Sequence, residues 1–325
     1  MNTGLTVVVG DAFKEHERFL WGLCYRLTGN AADADDLVQE TFIRALKSPP
    51  ARTDEPWRPW LVRVAINLGR DLLRQRKRRG YDGPWLPSPI EAGAEALESE
   101  VGPSDERGDP AARYDLLESV SFAFLLALEA LTPTQRAVLL LRDVFDYSVK
   151  ESASALEITE QNVKTTLHRA RRIMLNYDKS RPLPDQALSE QSRQVMERFM
   201  ACLVNHDVSG AEALLSREVR QLSDGGGEFI AARVPIIGRD KVLLFYSRIT
   251  ARTTGAVRYE IRTCNGSPAI FAERLQAPEK IAPRSVTLCE LDSEGRIKTL
   301  HSVLATRKLT AVSPIDSARS KLAAG

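Results

Sequence analysis

Between Ser148 and Met174 an apolar stripe and a crowd of cations share one helical repeat. Val163, Leu167, Ala170 and Met174 fall at i, i+4, i+7 and i+11. Gln161, Thr165, His168 and Arg172 then point the opposite way, with Lys164, Arg169 and Arg171 on the flanks. Such a helix can lie in the major groove, its outer face reading base edges and its flanking cations holding phosphates. The segment before it supports this reading. Ser148 and Glu151 form a capping box, Val149, Ala153 and Leu156 give a buried side, and Thr159 can cap the second helix. An ordinary helical hairpin with a solvated basic face has the same pattern. The turn is unusual in holding Glu157-Ile158 where such motifs often hold glycine, and a positive φ is costly at Glu157.

A second basic stripe lies earlier. Leu61, Val64, Ala65, Leu68 and Leu72 predict one helix face, and Arg63, Asn67, Arg70 and Arg74 recur on another. Three arginines can track a phosphate backbone while the asparagine meets a base. Trp57 and Trp60 precede them, which suits unstacked bases, although core packing is the ordinary role of at least one tryptophan. No Ser/His/Asp or paired-carboxylate constellation with catalytic spacing appears. Asp207, His206 and His301 are the weakest of candidates.

These residues need a frame of helices. Phe13 to Arg79 reads as three of them, the first ending at Gly29-Asn30. In the second, Ala34, Leu37, Val38, Thr41, Phe42 and Ala45 face inward, leaving Asp35, Asp36, Gln39, Glu40 and Arg44 outside. Pro59 suits the first turn of the third. Tyr81 to Leu117 is a linker, largely polar and acidic, in which Trp85 and Leu86 are a stranded apolar pair. Phe122 to Tyr177 is helical again, with a cap and start signal at Thr132-Pro133. After the break at Arg181-Pro182-Leu183-Pro184 come two amphipathic helices. Strand patterns follow at Val219–Leu222, Phe229–Ala232, Val257–Thr263, Ala269–Leu275, Ser285–Leu291 and Ile297–Leu304. A helix from Asp240 to Thr250 interrupts them. Asp224-Gly225-Gly226-Gly227 and Ser293-Glu294-Gly295 are expected to be hairpin turns. The fold class is therefore multidomain, with two all-α domains followed by an α+β domain. Its sheet can enclose an apolar pocket, and a small ligand there is one expectation.

Composition bounds the rest. The 325 residues allow two or three domains, and the net charge of +2 hides strongly basic and strongly acidic segments that cancel. No apolar run is long enough for a bilayer and no secretory signal is visible at the N-terminus. Cys24, Cys202, Cys264 and Cys289 are isolated and read as buried thiols. A cytoplasmic protein with no metal and no cofactor is expected.

Three stretches occur in a telling order: DADDLVQETFIRAL, RPWLVRVAINLGRDLLRQRKRR, and LTPTQRAVLLLRDVFDYSVKESASALEITEQNVKTTLHRARR. Together the chain resembles a bacterial RNA polymerase sigma factor of the extracytoplasmic-function type. The first two stretches resemble region 2 and the third region 4. The remainder resembles the subgroup with a SnoaL-like C-terminal extension. That subgroup carries a W-L-P motif in the linker, here Trp85, Leu86 and Pro87, and a D-G-G-G motif, here Asp224, Gly225, Gly226 and Gly227. The linker motif departs from the usual pattern in continuing with Ser88-Pro89. The short motif near the end of the extension, roughly N-P-D-K-L, stands as Ala305-Thr306-Arg307-Lys308-Leu309.

The resemblance implies domains at 11–80 (region 2), 81–117 (linker), 118–178 (region 4) and 188–310 (SnoaL-like), with a tail over 311–325. It implies that Asp36, Leu37, Gln39, Glu40 and Phe42 dock on the clamp helices of the polymerase β′ subunit, with the β flap as a further partner. Arg63, Asn67, Arg70, Asp71 and Arg74 would read the −10 element, and Gln161, Lys164, Thr165, His168, Arg169, Arg171 and Arg172 the −35 element. The partners would be core RNA polymerase and promoter DNA, with the C-terminal domain regulating in cis and no membrane involved. Two rival readings are a one-component regulator with a ligand-sensing domain and an enzyme acting through the SnoaL-like domain. An activator needs no segment like DLVQETF, and an enzyme needs a catalytic constellation.

Overall fold

The computed structural model describes residues 3–91, 113–180, 186–252, 257–316 and 321–323. The acidic part of the linker and the 181–184 break lie outside the described residues. The chain divides into two compact units, one drawn from Met1–Gly80 and Ala92–Arg181, the other from Tyr81–Glu91 and Pro182–Gly325. Eleven linker residues thus belong with the C-terminal domain rather than forming a separate spacer.

The first unit is helical: α1 (Thr3–Thr28), α2 (Ala31–Lys47), α3 (Arg58–Arg79), α4 (Phe122–Leu128), α5 (Pro133–Asp143), α6 (Val149–Leu156) and α7 (Glu160–Ser180). Helix α1 stops at Gly29, where φ is +65°, and Asn30 caps α2 by accepting from the Asp33 amide. The apolar face of α3 comprises Leu61, Val62, Ala65, Ile66, Gly69 and Leu73, rotated from the expected one, so Val64, Leu68 and Leu72 are half-buried. Three arginines tie the early helices to the late ones. Arg136, 3% exposed, donates to Leu27 O and Leu128 O, satisfying carbonyls at the ends of α1 and α4, and pairs with Glu129. Arg76 bonds both oxygens of Glu129 and the Thr28 carbonyl. Arg26 reaches Ser119 Oγ at 2.8 Å. Burial pushes the Arg136 pKa down, while Glu129 opposes that shift.

The second unit is α+β: α8 (Gln186–Val204), α9 (Val208–Leu214), β1 (Leu215–Asp224), β2 (Ile236–Ile237), α10 (Arg239–Arg252), β3 (Val257–Cys264), β4 (Ser267–Arg274), β5 (Arg284–Leu291), β6 (Ile297–Val303) and β7 (Lys321–Ala323). The sheet order is β2-β1-β6-β5-β4-β3-β7, antiparallel except for β1 with β6. Helices pack on one face of the sheet, where Val195, Phe199, Leu214, Val219, Val242 and Leu300 form a core. Two expectations fail. Phe229–Ala232 is not a strand, because Ile230 donates to Lys280 O while the stretch makes no ladder. The Asp224–Gly227 turn does not close a tight hairpin; it opens a loop that reaches β2 at Ile236. The Glu294-Gly295 turn does join β5 to β6.

Candidate functional site

The helix-turn-helix forms from local signals. Ser148 and Glu151 make the reciprocal capping box of α6, and Thr159 Oγ1 accepts from the Asn162 amide at the start of α7. Between them Glu157 adopts φ 55°, ψ 44°, the left-handed conformation usually left to glycine. The turn thus keeps the common shape despite its side chain. Val163, Leu167, Ala170 and Met174 are buried, and Gln161, Lys164, Thr165, His168, Arg169 and Arg172 are exposed. Arg171 departs from expectation. Its Nε and Nη2 pair with both oxygens of Asp143, which is fully buried, at 2.9 and 2.6 Å. This guanidinium anchors α7 to α5, with its side chain still 38% exposed.

The second basic stripe is partly engaged within the unit. Arg74 pairs with Asp71 at 2.8 Å, and both are exposed. Arg63 and Asn67 are half-buried. Arg70 donates to Asn67 Oδ1, to Leu156 O on α6 and to Thr134 Oγ1 on α5. Of the tryptophans, Trp57 is buried and Trp60 half-buried, their rings edge to face 6.1 Å apart. On α2, Asp36 and Gln39 are exposed and Glu40 pairs with Arg44 at the surface. Leu37 and Phe42 are core residues, Phe42 packing against Phe13, so they cannot themselves form a docking surface.

In the second unit the linker and the C-terminal domain meet at Asp224. Its carboxylate is fully buried and accepts from Tyr81 Oη (2.5 Å), the Leu86 amide (2.7 Å), the Gly226 amide (3.1 Å) and Lys308 Nζ (2.5 Å). Lys308, 3% exposed, also donates to Leu86 O, and its ammonium lies 4.0 Å from the Trp85 ring centroid and 4.8 Å from that of Tyr81. Leu86 and Pro87 are buried. The altered Ala305–Leu309 motif thus touches the linker through Lys308. A side chain at Gly226 would meet Ala305 Cβ at 2.7 Å, and one at Gly225 would meet Phe229 O at 2.6 Å. They admit the C-terminal domain's own residues, the Phe229 carbonyl at Gly225 and the Ala305 methyl at Gly226. Gly227 needs its glycine for φ +74° alone.

On the helix-facing side of the sheet the polar groups bond one another. Tyr246 Oη donates to Gln221 Oε1, and Gln221 Nε2 donates to Ser223, Ser302 and Leu222 O. Burial pushes the Tyr246 hydroxyl pKa up. Asp207 caps α9 by accepting from the Gly210 amide, and His206 sits at φ 54° in the preceding turn. Among the described residues no cluster of His, Cys, Asp and Glu could hold a metal, and no helix is long and apolar enough to cross a membrane.

Sequence reasoning named Lys308 only as part of an altered motif and missed Arg136, Glu129 and Asn265. For Asn265 a signal existed, since Asn-Gly between two alternating runs marks a hairpin.

Comparison with known proteins places these features. Residues 12–79 match Sigma-70 region 2 and residues 121–174 match Sigma-70, region 4. The chain is 29% identical over 323 residues to the ECF RNA polymerase sigma factor SigJ of Mycobacterium tuberculosis, covering 96% of this chain and 95% of that one. It is 31% identical over 268 residues to SigG of the same organism, covering 78% of this chain and 70% of that one. The crystal structure of M. tuberculosis SigJ superposes with a TM-score of 0.65 at 26% identity, over 94% of this chain and 99% of that one.

Proposed function

This chain belongs to the ECF RNA polymerase sigma factors, and we propose that its linker clasp is the element through which the C-terminal domain tunes promoter recognition. As a sigma factor it binds core RNA polymerase and directs transcription initiation at promoters; its relatives are sigma factors, not enzymes. It works where the polymerase is, in the cytoplasm.

The residue roles are those the resemblance implies, and exposure and chemistry support them. Asp36, Gln39 and Glu40 give α2 a polar outer face that suits docking on the β′ clamp helices. Lys164, Arg169 and Arg172 flank and face the groove-reading side of α7, with Gln161, Thr165 and His168 able to meet base edges. On α3, Asn67, Asp71 and Arg74 would read the −10 element, and Arg70 would join them on leaving Leu156 and Thr134.

The observation that carries the regulatory reading is the Asp224–Lys308 pair closed over by Trp85 and Leu86. The linker connects region 2 to region 4. Holding Tyr81–Glu91 on the C-terminal domain leaves fewer residues to span them, which changes the effective concentration of one region for the other. Run-off transcription with core polymerase tests both levels. Promoter-selective transcripts that require the chain support the sigma role. Equal yield from the intact chain and a folded Trp85→Ala variant would remove the clasp from regulation.

A further inference from the structure

We propose that the linker is held at a second, independent anchor, centred on Asn265, and that this anchor fixes which linker residue is the last to be held on the C-terminal domain. The proposal rests on the clasp reading above and extends it to residues outside the linker and glycine motifs.

The observations lie at the far end of the docked linker. The Ile90 amide donates to Asn265 Oδ1 at 3.1 Å, and the Asn265 amide donates back to Ile90 O at 3.0 Å. Ile90 and Asn265 are 1% and 2% exposed, and Ser88 between the two anchors is fully buried. One residue on, Glu91 Oε1 accepts from Arg262 Nη1 at 2.7 Å and from the Ser313 amide at 2.8 Å. Arg262 Nη2 bonds Ser313 O, and its guanidinium lies over the Phe271 ring. Thus two consecutive linker residues are gripped from three sides by β3, the β3–β4 turn and the chain after β6.

A hairpin turn alone does not account for this. Asn265 and Gly266 have φ of 50° and 75°, the pair a two-residue turn of the primed type needs, and glycine or aspartate would serve at the first position. A turn residue's side chain is free to face water. Here it is buried and spent on the backbone of a segment 175 positions earlier in sequence. An asparagine oxygen standing in for a backbone carbonyl is a fixed acceptor, so Ile90 is held in register as a strand would be. The Asp224–Lys308 clasp fixes Leu86; the Asn265 anchor fixes Ile90. Between them Pro87, Ser88 and Pro89 are buried, so the linker is held along this whole stretch. Asn265 is accordingly a positioning residue that acts through Ile90.

The experiment uses the full chain. Asn265→Gly keeps the positive φ and deletes the acceptor; Glu91→Ala cuts the neighbouring grip. Each is checked for an unchanged melting profile, then read in two ways. Amide hydrogen exchange of Ile90 should accelerate by about 10-fold or more in Asn265→Gly, the size of effect a lost buried hydrogen bond produces, while Leu86 keeps its protection. Run-off transcription, on promoters whose spacer between the two elements is lengthened or shortened by a single base pair, should lose its preference for the best spacer. A merely structural role would lower every promoter alike. Unchanged Ile90 exchange, joint release of Leu86, or an unaltered spacer profile in both variants would each overturn the proposal. Trp85→Ala run in parallel separates the failures: no change of yield there removes the clasp reading, whatever Asn265 does.

Discussion

Replacing Lys308 by Met keeps an aliphatic stem of similar length and deletes the ammonium. Lys308 Nζ lies 2.5 Å from Asp224 Oδ2, and their side chains are 3% and 0% exposed. Removing one partner of a buried pair costs about 3–5 kcal/mol, because the remaining charge is stranded. Asp224 retains Tyr81, Leu86 and Gly226 as donors, so the lower end of that range applies. The share that bears on the linker is smaller. It comprises the charged hydrogen bond to Leu86 O, about 1.5–3 kcal/mol, and the cation over Trp85, about 0.5–2 kcal/mol. A loss of about 2 kcal/mol shifts the docking equilibrium roughly 30-fold toward release. The assay is hydrogen exchange at the Leu86 amide, which donates to Asp224, together with run-off yield. Exchange should quicken by about that factor while the C-terminal domain stays folded. Unaltered Leu86 protection in folded Lys308→Met would refute the view that the ammonium holds the linker.

Asp36→Ala with Glu40→Ala should leave melting within about 0.5 kcal/mol, since both are at the surface, yet weaken the complex in a titration with core polymerase. Lys164→Ala should lower promoter affinity for all sequences and reduce the salt slope by about 1, whereas Thr165→Ala or Arg172→Ala should relax preference at particular upstream positions by about 1–3 kcal/mol, measured by binding to point-varied promoters. Arg171→Ala should behave differently from both, lowering the melting temperature of the helical unit by stranding buried Asp143. Burial pushes the His301 pKa below its ordinary value, so the unfolded chain takes up a proton first as pH falls. Stability should therefore be flat above about pH 6.5 and decline below it, and His301→Gln should flatten that slope in melting scans.

Local chemistry was written in the sequence. The capping box at Ser148 and Glu151, the cap at Thr159 and the facing of Val163, Leu167, Ala170 and Met174 depend on neighbours three or four positions apart, and all stand in the structure. Short apolar and β-branched runs bounded by turn residues likewise marked β3 to β6. The family, too, was legible, since regions 2 and 4 are carried by contiguous stretches. What escaped depends on partners far along the chain. Arg171 looked like its exposed neighbours until Asp143, 28 positions away, took its guanidinium. Phe229–Ala232 has strand composition but finds no ladder. Lys308 sat in an altered motif, and its pairing with Asp224, 84 positions away, arises because β1 and β6 lie side by side. Periodicity states which way a side chain points relative to its own helix or strand. Which charge, carbonyl or ring waits there is decided when distant elements pack, and that choice turned a run of linker residues into a clasp.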